Sequence, residues 1–116
     1  MQHNELSEKP VKEVIHLLEG AIYQSLSIDD ICDKTAYGRA YLFRVFKAST
    51  GRTIMEYYLS LKIEKAKQLL RENEFTVKEI AERLCFNEAN YFTKTFKRVT
   101  GLTPTAYKRR CNDWEL

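Results

Sequence analysis

"YFTKTFKRVTGLTPTAY", residues 91–107, has a counterpart fifty residues earlier in "YLFRVFKASTGRTIMEY", residues 41–57. Tyr41, Phe46, Lys47, Thr50, Gly51, Thr53 and Tyr57 fall on Tyr91, Phe96, Lys97, Thr100, Gly101, Thr103 and Tyr107. Upstream the likeness continues at a spacing one residue shorter, where "SIDDICDKTAYG" (27–38) lies over "TVKEIAERLCFN" (76–87). A slip of one residue between two helices is what a turn absorbs. The chain therefore contains one helical motif twice.

Each motif opens with a hydroxyl followed three positions later by an acid, Ser27 with Asp30 and Thr76 with Glu79. In this pattern the hydroxyl caps the backbone and the acid reaches back. Ile28, Ile31 and Cys32 of the first short helix pair with Val77, Ile80 and Ala81 of the second. A second helix follows in each copy, carrying Leu42, Val45, Phe46 and Ser49 or Phe92, Thr95, Phe96 and Val99 at i, i+3, i+4, i+7 spacing. Such a stripe is expected to be core. Gly51 and Gly101 are placed to end these helices in the left-handed conformation, and Pro104 to begin the last helix.

Between the copies, Thr53 and Glu56 form a third capping pattern, opening a helix that runs without Gly or Pro to about residue 72. Ile54, Tyr57, Tyr58, Leu61, Ala66, Leu69 and Leu70 give it apolar surface for both flanking units, so it reads as a semi-rigid spacer about 30 Å long. Near the N-terminus, Val11, Val14, Ile15, Leu18 and Ile22 mark an amphipathic helix with Pro10 in its first turn. With four Gly and two Pro in the whole chain and no alternating strand pattern, the fold class is all-α. The organisation expected is a tail at 1–8, a first helix-turn-helix subdomain at 9–52, a linker helix at 53–72, a second subdomain at 73–110 and a tail at 111–116.

The formal net charge of +3 is unevenly distributed. Residues 1–38 carry three Lys against seven Asp or Glu, whereas residues 39–110 carry sixteen Lys or Arg against seven Glu. A basic stretch of this kind suits a polyanion partner or a solvated helical surface, and position decides between them. Cys32, Cys85 and Cys111 share no Cys-x-x-Cys spacing, so neither a disulfide framework nor a zinc site is expected. No apolar run reaches the roughly 18 residues needed to cross a bilayer, and "MQHNELSEKP" lacks the apolar core of a signal peptide. A cytoplasmic location without membrane contact is the expectation.

A short helix, a turn and a second helix make a helix-turn-helix, whose second helix can lie in the DNA major groove. The faces opposite the apolar stripes read Arg39, Ala40, Phe43, Arg44 and Lys47 in the first copy and Ala89, Asn90, Thr93, Lys94 and Lys97 in the second. Neither holds an acid, although solvated faces usually mix signs. Arg44 can bond guanine bidentately and Asn90 adenine, while Ala40, Ala89 or the Thr93 methyl can approach a thymine methyl. Phe43 is expected either partly buried or against a thymine methyl. Lys47, Lys97 and Arg98, nearer the helix C-termini, suit phosphates. Successive major grooves on one side of B-DNA lie about 34 Å apart, close to the length of the spacer, so one chain can read two adjacent grooves.

The stretches "IDDICDKTAYGRAYLFRVFKASTGRTIMEYYLSLKIEKAKQLL" and "TVKEIAERLCFNEANYFTKTFKRVTGLTPTAYKRR" resemble the DNA-binding domain of the AraC/XylS family of bacterial transcription regulators, over roughly residues 10–110. The resemblance implies seven helices in two helix-turn-helix subdomains joined by a long helix. By position it carries base contacts to Ala40, Phe43 and Arg44 and to Ala89, Asn90, Thr93 and Lys94. It implies double-stranded DNA and RNA polymerase as partners, together with an effector-binding or receiver domain on the N-terminal side; this chain is then either a fragment or a stand-alone binder. Cys85 stands where the family commonly has Gly, at a turn position that calls for positive φ, which Cys tolerates poorly. Gly38 replaces a usual Ser-like cap, and Lys62 replaces a common Arg. For the start of the second recognition helix, Asn87 is the better cap by chemistry, whereas alignment with Gly38 points to Glu88.

Catalysis requires a nucleophile, base or metal cluster, and the two histidines, His3 and His16, stand apart from any such partner in the sequence. The chain is read as no enzyme and as needing no cofactor. RNA is disfavoured because its deep, narrow major groove excludes a helix. The remaining rival is a helical protein-interaction adaptor of the same fold, since fold alone does not confer function; Arg44, Asn90, Lys94 and Lys97 speak against it. Trp114 falls in an acidic tail, "CNDWEL".

Overall fold

A computed structural model of the protein describes the backbone of residues 5–114 and the side chains of residues 8–112. The described residues form seven helices and no strand: α1 (Glu5–Glu19), α2 (Ile28–Thr35), α3 (Arg39–Thr50), α4 (Ile54–Glu72), α5 (Val77–Arg83), α6 (Ala89–Thr100) and α7 (Pro104–Trp114). They divide into two compact units at Leu61 and Lys62, within α4.

In the first unit, Val14, Leu18, Ile31, Leu42, Phe46 and Ile54 are wholly or almost wholly buried, so α1 packs on the helix-turn-helix of α2 and α3 and on the start of α4. Tyr58 fastens the connection between α1 and α2. Its hydroxyl lies 2.7 Å from both the Ala21 and the Gln24 carbonyl oxygens and accepts from the Leu26 N–H at 3.3 Å. In the second unit, Ile63, Ala66, Leu70, Ile80, Ala81, Leu84, Phe92 and Phe96 form the buried set.

The sequence repeat is a repeat of interactions. Phe46 meets the edge of Tyr57 at 5.4 Å between ring centroids, and Phe96 meets Tyr107 at 5.5 Å. The Thr50 hydroxyl donates to the Phe46 carbonyl at 2.9 Å, as Thr100 does to Phe96 at 2.8 Å. Gly51 and Gly101 both end their helices in the left-handed region, at φ 77° and 88°, each N–H closing on the carbonyl of Lys47 or Lys97. The identical residues are those that shape this helix end and its aromatic contact.

Several sequence expectations are corrected. α1 begins at Glu5, inside the stretch 1–8 expected as a tail, and Pro10 lies inside the helix rather than in its first turn. Its ring nitrogen supplies no donor to the preceding turn, a loss the helix absorbs near its N-terminus. Ile22 lies beyond the end of α1 at Glu19. At the other end α7 continues to Trp114 instead of giving way to a tail at 111; residues 1–4, 115 and 116 lie outside the described ones. Ser49 and Val99 are exposed, Val99 by 44%, because the burying stripe ends before the last turn of each recognition helix.

Candidate DNA interface

The first motif is set by its caps. Ser27 Oγ accepts from the Asp30 N–H at 3.0 Å and the Asp30 carboxylate accepts from the Ser27 N–H at 2.9 Å. α2 ends on Ala36, at φ 64°. α3 then starts from Gly38 without a side-chain cap. Burial of Leu42, Val45 and Phe46 fixes the roll of α3, and Arg39, Ala40, Phe43, Arg44 and Lys47 consequently face outward, all exposed. The Arg39 guanidinium is paired with the Asp29 carboxylate, both well exposed. The Arg44 guanidinium carbon sits 5.4 Å from the Tyr41 ring centroid.

The second motif repeats this scheme with Thr76 and Glu79, whose reciprocal bonds measure 3.1 and 2.8 Å. Its turn carries Cys85 at φ 60°, the position equivalent to Ala36, with the Cys85 N–H bonded to the Glu82 carbonyl at 3.0 Å and the Phe86 N–H to that of Ala81 at 2.9 Å. Glu88, not Asn87, stands at the N-cap of α6 and makes no side-chain cap bond. Ala89, Asn90, Lys94, Lys97 and Arg98 are exposed and Thr93 half-buried. The side chains of Lys47, Asn90, Thr93, Lys94, Lys97 and Arg98 make no hydrogen bond or ion pair among the described residues.

Neither recognition helix carries an acid in its first turn, whereas α2, α4 and α5 each do. An acid there neutralises the positive end of the helix dipole; α3, capped by Gly38, leaves its own available to an anion, whereas α6 has Glu88 at its N-cap, its carboxylate making no cap bond. In the capping helices, hydrogen bonds from the Ser27 and Thr76 backbones, then from their hydroxyls, hold the Asp30 and Glu79 carboxyls below their ordinary values.

Two residues that the sequence did not single out for a site shape this surface. Lys62, noted only as a replacement for Arg, is 4% exposed, and its ammonium donates to the Leu84 carbonyl at 2.6 Å. Leu84 closes α5, whose last carbonyls lack helical partners and carry the negative end of its dipole, so the linker helix pins the turn of the second motif. Burial lowers the Lys62 ammonium below its usual value, opposed by the nearby Cys85 thiol. Met55, 38% exposed at the start of α4, joins Ile28, Ala40, Phe43, Arg44 and Lys47 around a groove of about 770 Å³. Only the positions of Ala40, Phe43, Arg44 and Lys47 within a helical face were visible beforehand; Met55 and Ile28 come from other helices.

A family model described as a helix-turn-helix domain matches residues 21–110. A solved transcriptional regulator from Chromobacterium violaceum, described as containing an AraC-type DNA-binding domain, matches the fold with a TM-score of 0.84 and 29% identity, over 93% of this chain and 96% of that one. The chain belongs to the AraC/XylS family. Its relatives include the TetD protein of transposon Tn10 from Escherichia coli, 36% identical over 106 residues, which are 91% of this chain and 76% of that protein. The Msm operon regulatory protein of Streptococcus mutans is 31% identical over 85% of this chain but only 34% of its own length. The chain thus spans most of one relative and about a third of the other. As an AraC-type domain it is a DNA-binding module of transcription regulators, with both of the family's helix-turn-helix motifs present.

Proposed function

We propose that the protein regulates transcription by binding double-stranded DNA sequence-specifically, with α3 and α6 in adjacent major grooves. The observation that carries this reading is the pair of acid-free outward faces, on which the side chains of Lys47, Asn90, Thr93, Lys94, Lys97 and Arg98 have no partner within the described residues. Arg44 suits guanine and Asn90 adenine; Ala40, Phe43, Ala89, Thr93 and Lys94 complete the base-facing set. Arg39 belongs to it once it leaves Asp29, an exposed pair whose separation costs about 1 kcal/mol or less. Lys47, Lys97 and Arg98 lean on phosphate. The partners assigned are DNA, RNA polymerase and an effector or receiver domain N-terminal to this module; the setting is the cytoplasm and no catalytic step is involved.

Selection of bound duplexes from a random pool at fixed salt tests the reading. Two half-sites about one helical turn apart are expected, and a featureless pool would favour an adaptor instead. On the selected duplex, Arg44→Ala and Asn90→Ala each lose about 1–3 kcal/mol of discrimination, whereas Lys97→Ala weakens all sequences alike and lowers the salt slope by about one. Equal losses on selected and random duplexes for the first two remove the base-reading assignment.

A further inference from the structure

Phe43 is 44% exposed and Met55 38%, two large apolar side chains left in water on the same unit that turns Arg44 and Lys47 outward. They line one groove with Ala40 and Ile28, bordered by those two cations and by no acid. The repeat supplies an internal comparison. Ala40, Phe43 and Met55 correspond to Asn90, Thr93 and Thr105, while Arg44 and Lys47 correspond to Lys94 and Lys97. The cations are kept between the copies and the apolar residues are not. The first motif therefore presents a basic face whose centre cannot hydrogen-bond, whereas the centre of the corresponding face in the second motif can.

The apolar group that the major groove of DNA offers is the C5-methyl of thymine. We infer that Phe43 and Met55 form a receptor for thymine methyl groups, so that the half-site under α3 is read by its methyls and the half-site under α6 by hydrogen-bonding base edges. Ala40 leaves room for the base to approach, and Arg44 and Lys47 hold the flanking backbone or a neighbouring guanine. Met55, unbranched and adaptable, closes the groove from α4. The groove far exceeds one methyl in volume, and both Phe43 and Met55 are exposed at it. The inference rests on the DNA-binding reading above and adds to it the chemical group that is recognised.

The test replaces each thymine of the selected duplex, one at a time, by deoxyuridine, which removes the methyl and keeps every hydrogen-bonding group. Binding is measured at constant salt with the full chain. At one or two positions of the α3 half-site the wild type loses about fourfold in affinity per methyl. In Phe43→Ala and in Met55→Ala, with helicity by circular dichroism unchanged, that penalty falls below about twofold, while any deoxyuridine effect in the α6 half-site persists. Specific binding that is indifferent to deoxyuridine throughout the α3 half-site overturns the inference and leaves the DNA-binding reading standing. A penalty that survives both substitutions overturns the receptor by assigning the methyl to other residues. Failure to select any duplex overturns both.

Discussion

Cys85 sits at φ 60° in the turn of the second motif, a region where a Cβ crowds the backbone by about 1–2 kcal/mol. The first motif accepts the same strain at Ala36, so the turn demands this geometry whichever residue fills it. Cys85→Gly is expected to raise stability by about 0.5–1 kcal/mol, the relief of strain outweighing the entropy glycine loses, read as a higher urea midpoint at unchanged slope. Lys62, beside this turn, is the opposite case, a polar group that the fold requires. Lys62→Ala leaves the buried Leu84 carbonyl without its donor and should cost about 1–3 kcal/mol in urea denaturation. Its folded ammonium releases the proton below the ordinary 10.5, so the unfolded chain binds more protons in the window just below that value, and the Lys62 contribution to stability increases as pH rises through it. Lys62→Arg keeps a donor that does not titrate and should abolish this alkaline increment; a wild type and Lys62→Arg with parallel stability curves between neutral pH and 10.5 would refute the coupling.

At the scale of elements, the capping boxes decide where the helices begin, and both recognition helices do without one. Asp30 and Glu79 close the boxes of α2 and α5 as carboxylates held below their ordinary 3.8 and 4.5. Their stabilisation is complete above those values and is lost as pH falls through the lower folded ones, because the protonated acid is a poor acceptor for the backbone N–H. Asp30→Asn with Glu79→Gln should therefore flatten the acid limb of a stability-versus-pH curve and leave its neutral-to-alkaline limb in place; an undiminished acid limb would show that other carboxylates govern it. The unadorned starts of α3 and α6 point the same way as their acid-free first turns. A side chain folded back onto the helix end would occupy the N–H groups that an anion otherwise meets.

For the whole molecule, the feature that matters is a single uninterrupted helix, α4, that belongs to both compact units. If it fixes the separation of the two recognition helices, as proposed, inserting about five base pairs between the selected half-sites turns them to opposite faces of the duplex and lowers affinity by about 10²-fold or more, toward that of one motif alone. Inserting about ten should not restore it, since the span then changes by a full helical turn. Affinity that is insensitive to both insertions would mark α4 as a tether. The same scale shows how much could be read in advance. The repeat, all three capping boxes, the Thr-Gly helix ends, the linker and the outward faces of α3 and α6 were all legible, because each follows from contacts within about four residues or from a helical period. The bounds of α1 and α7 were not legible, because charged, polar composition near a terminus does not reveal where a helix begins or ends. Val99 was misjudged because periodicity gives a face but not where its cover stops.

What the sequence determined by itself was local and duplicated: seven identities at one spacing specify the same helix end, the same aromatic contact and the same outward arc twice. What only the tertiary structure decided were meetings between distant residues. Lys62 reaches Leu84, Tyr58 ties down the loop after α1, Arg39 is held by Asp29, and Met55 joins Phe43 across a groove. Each depends on which surfaces come together when hydrophobic burial packs the helices, and burial is blind to the order of residues along the chain.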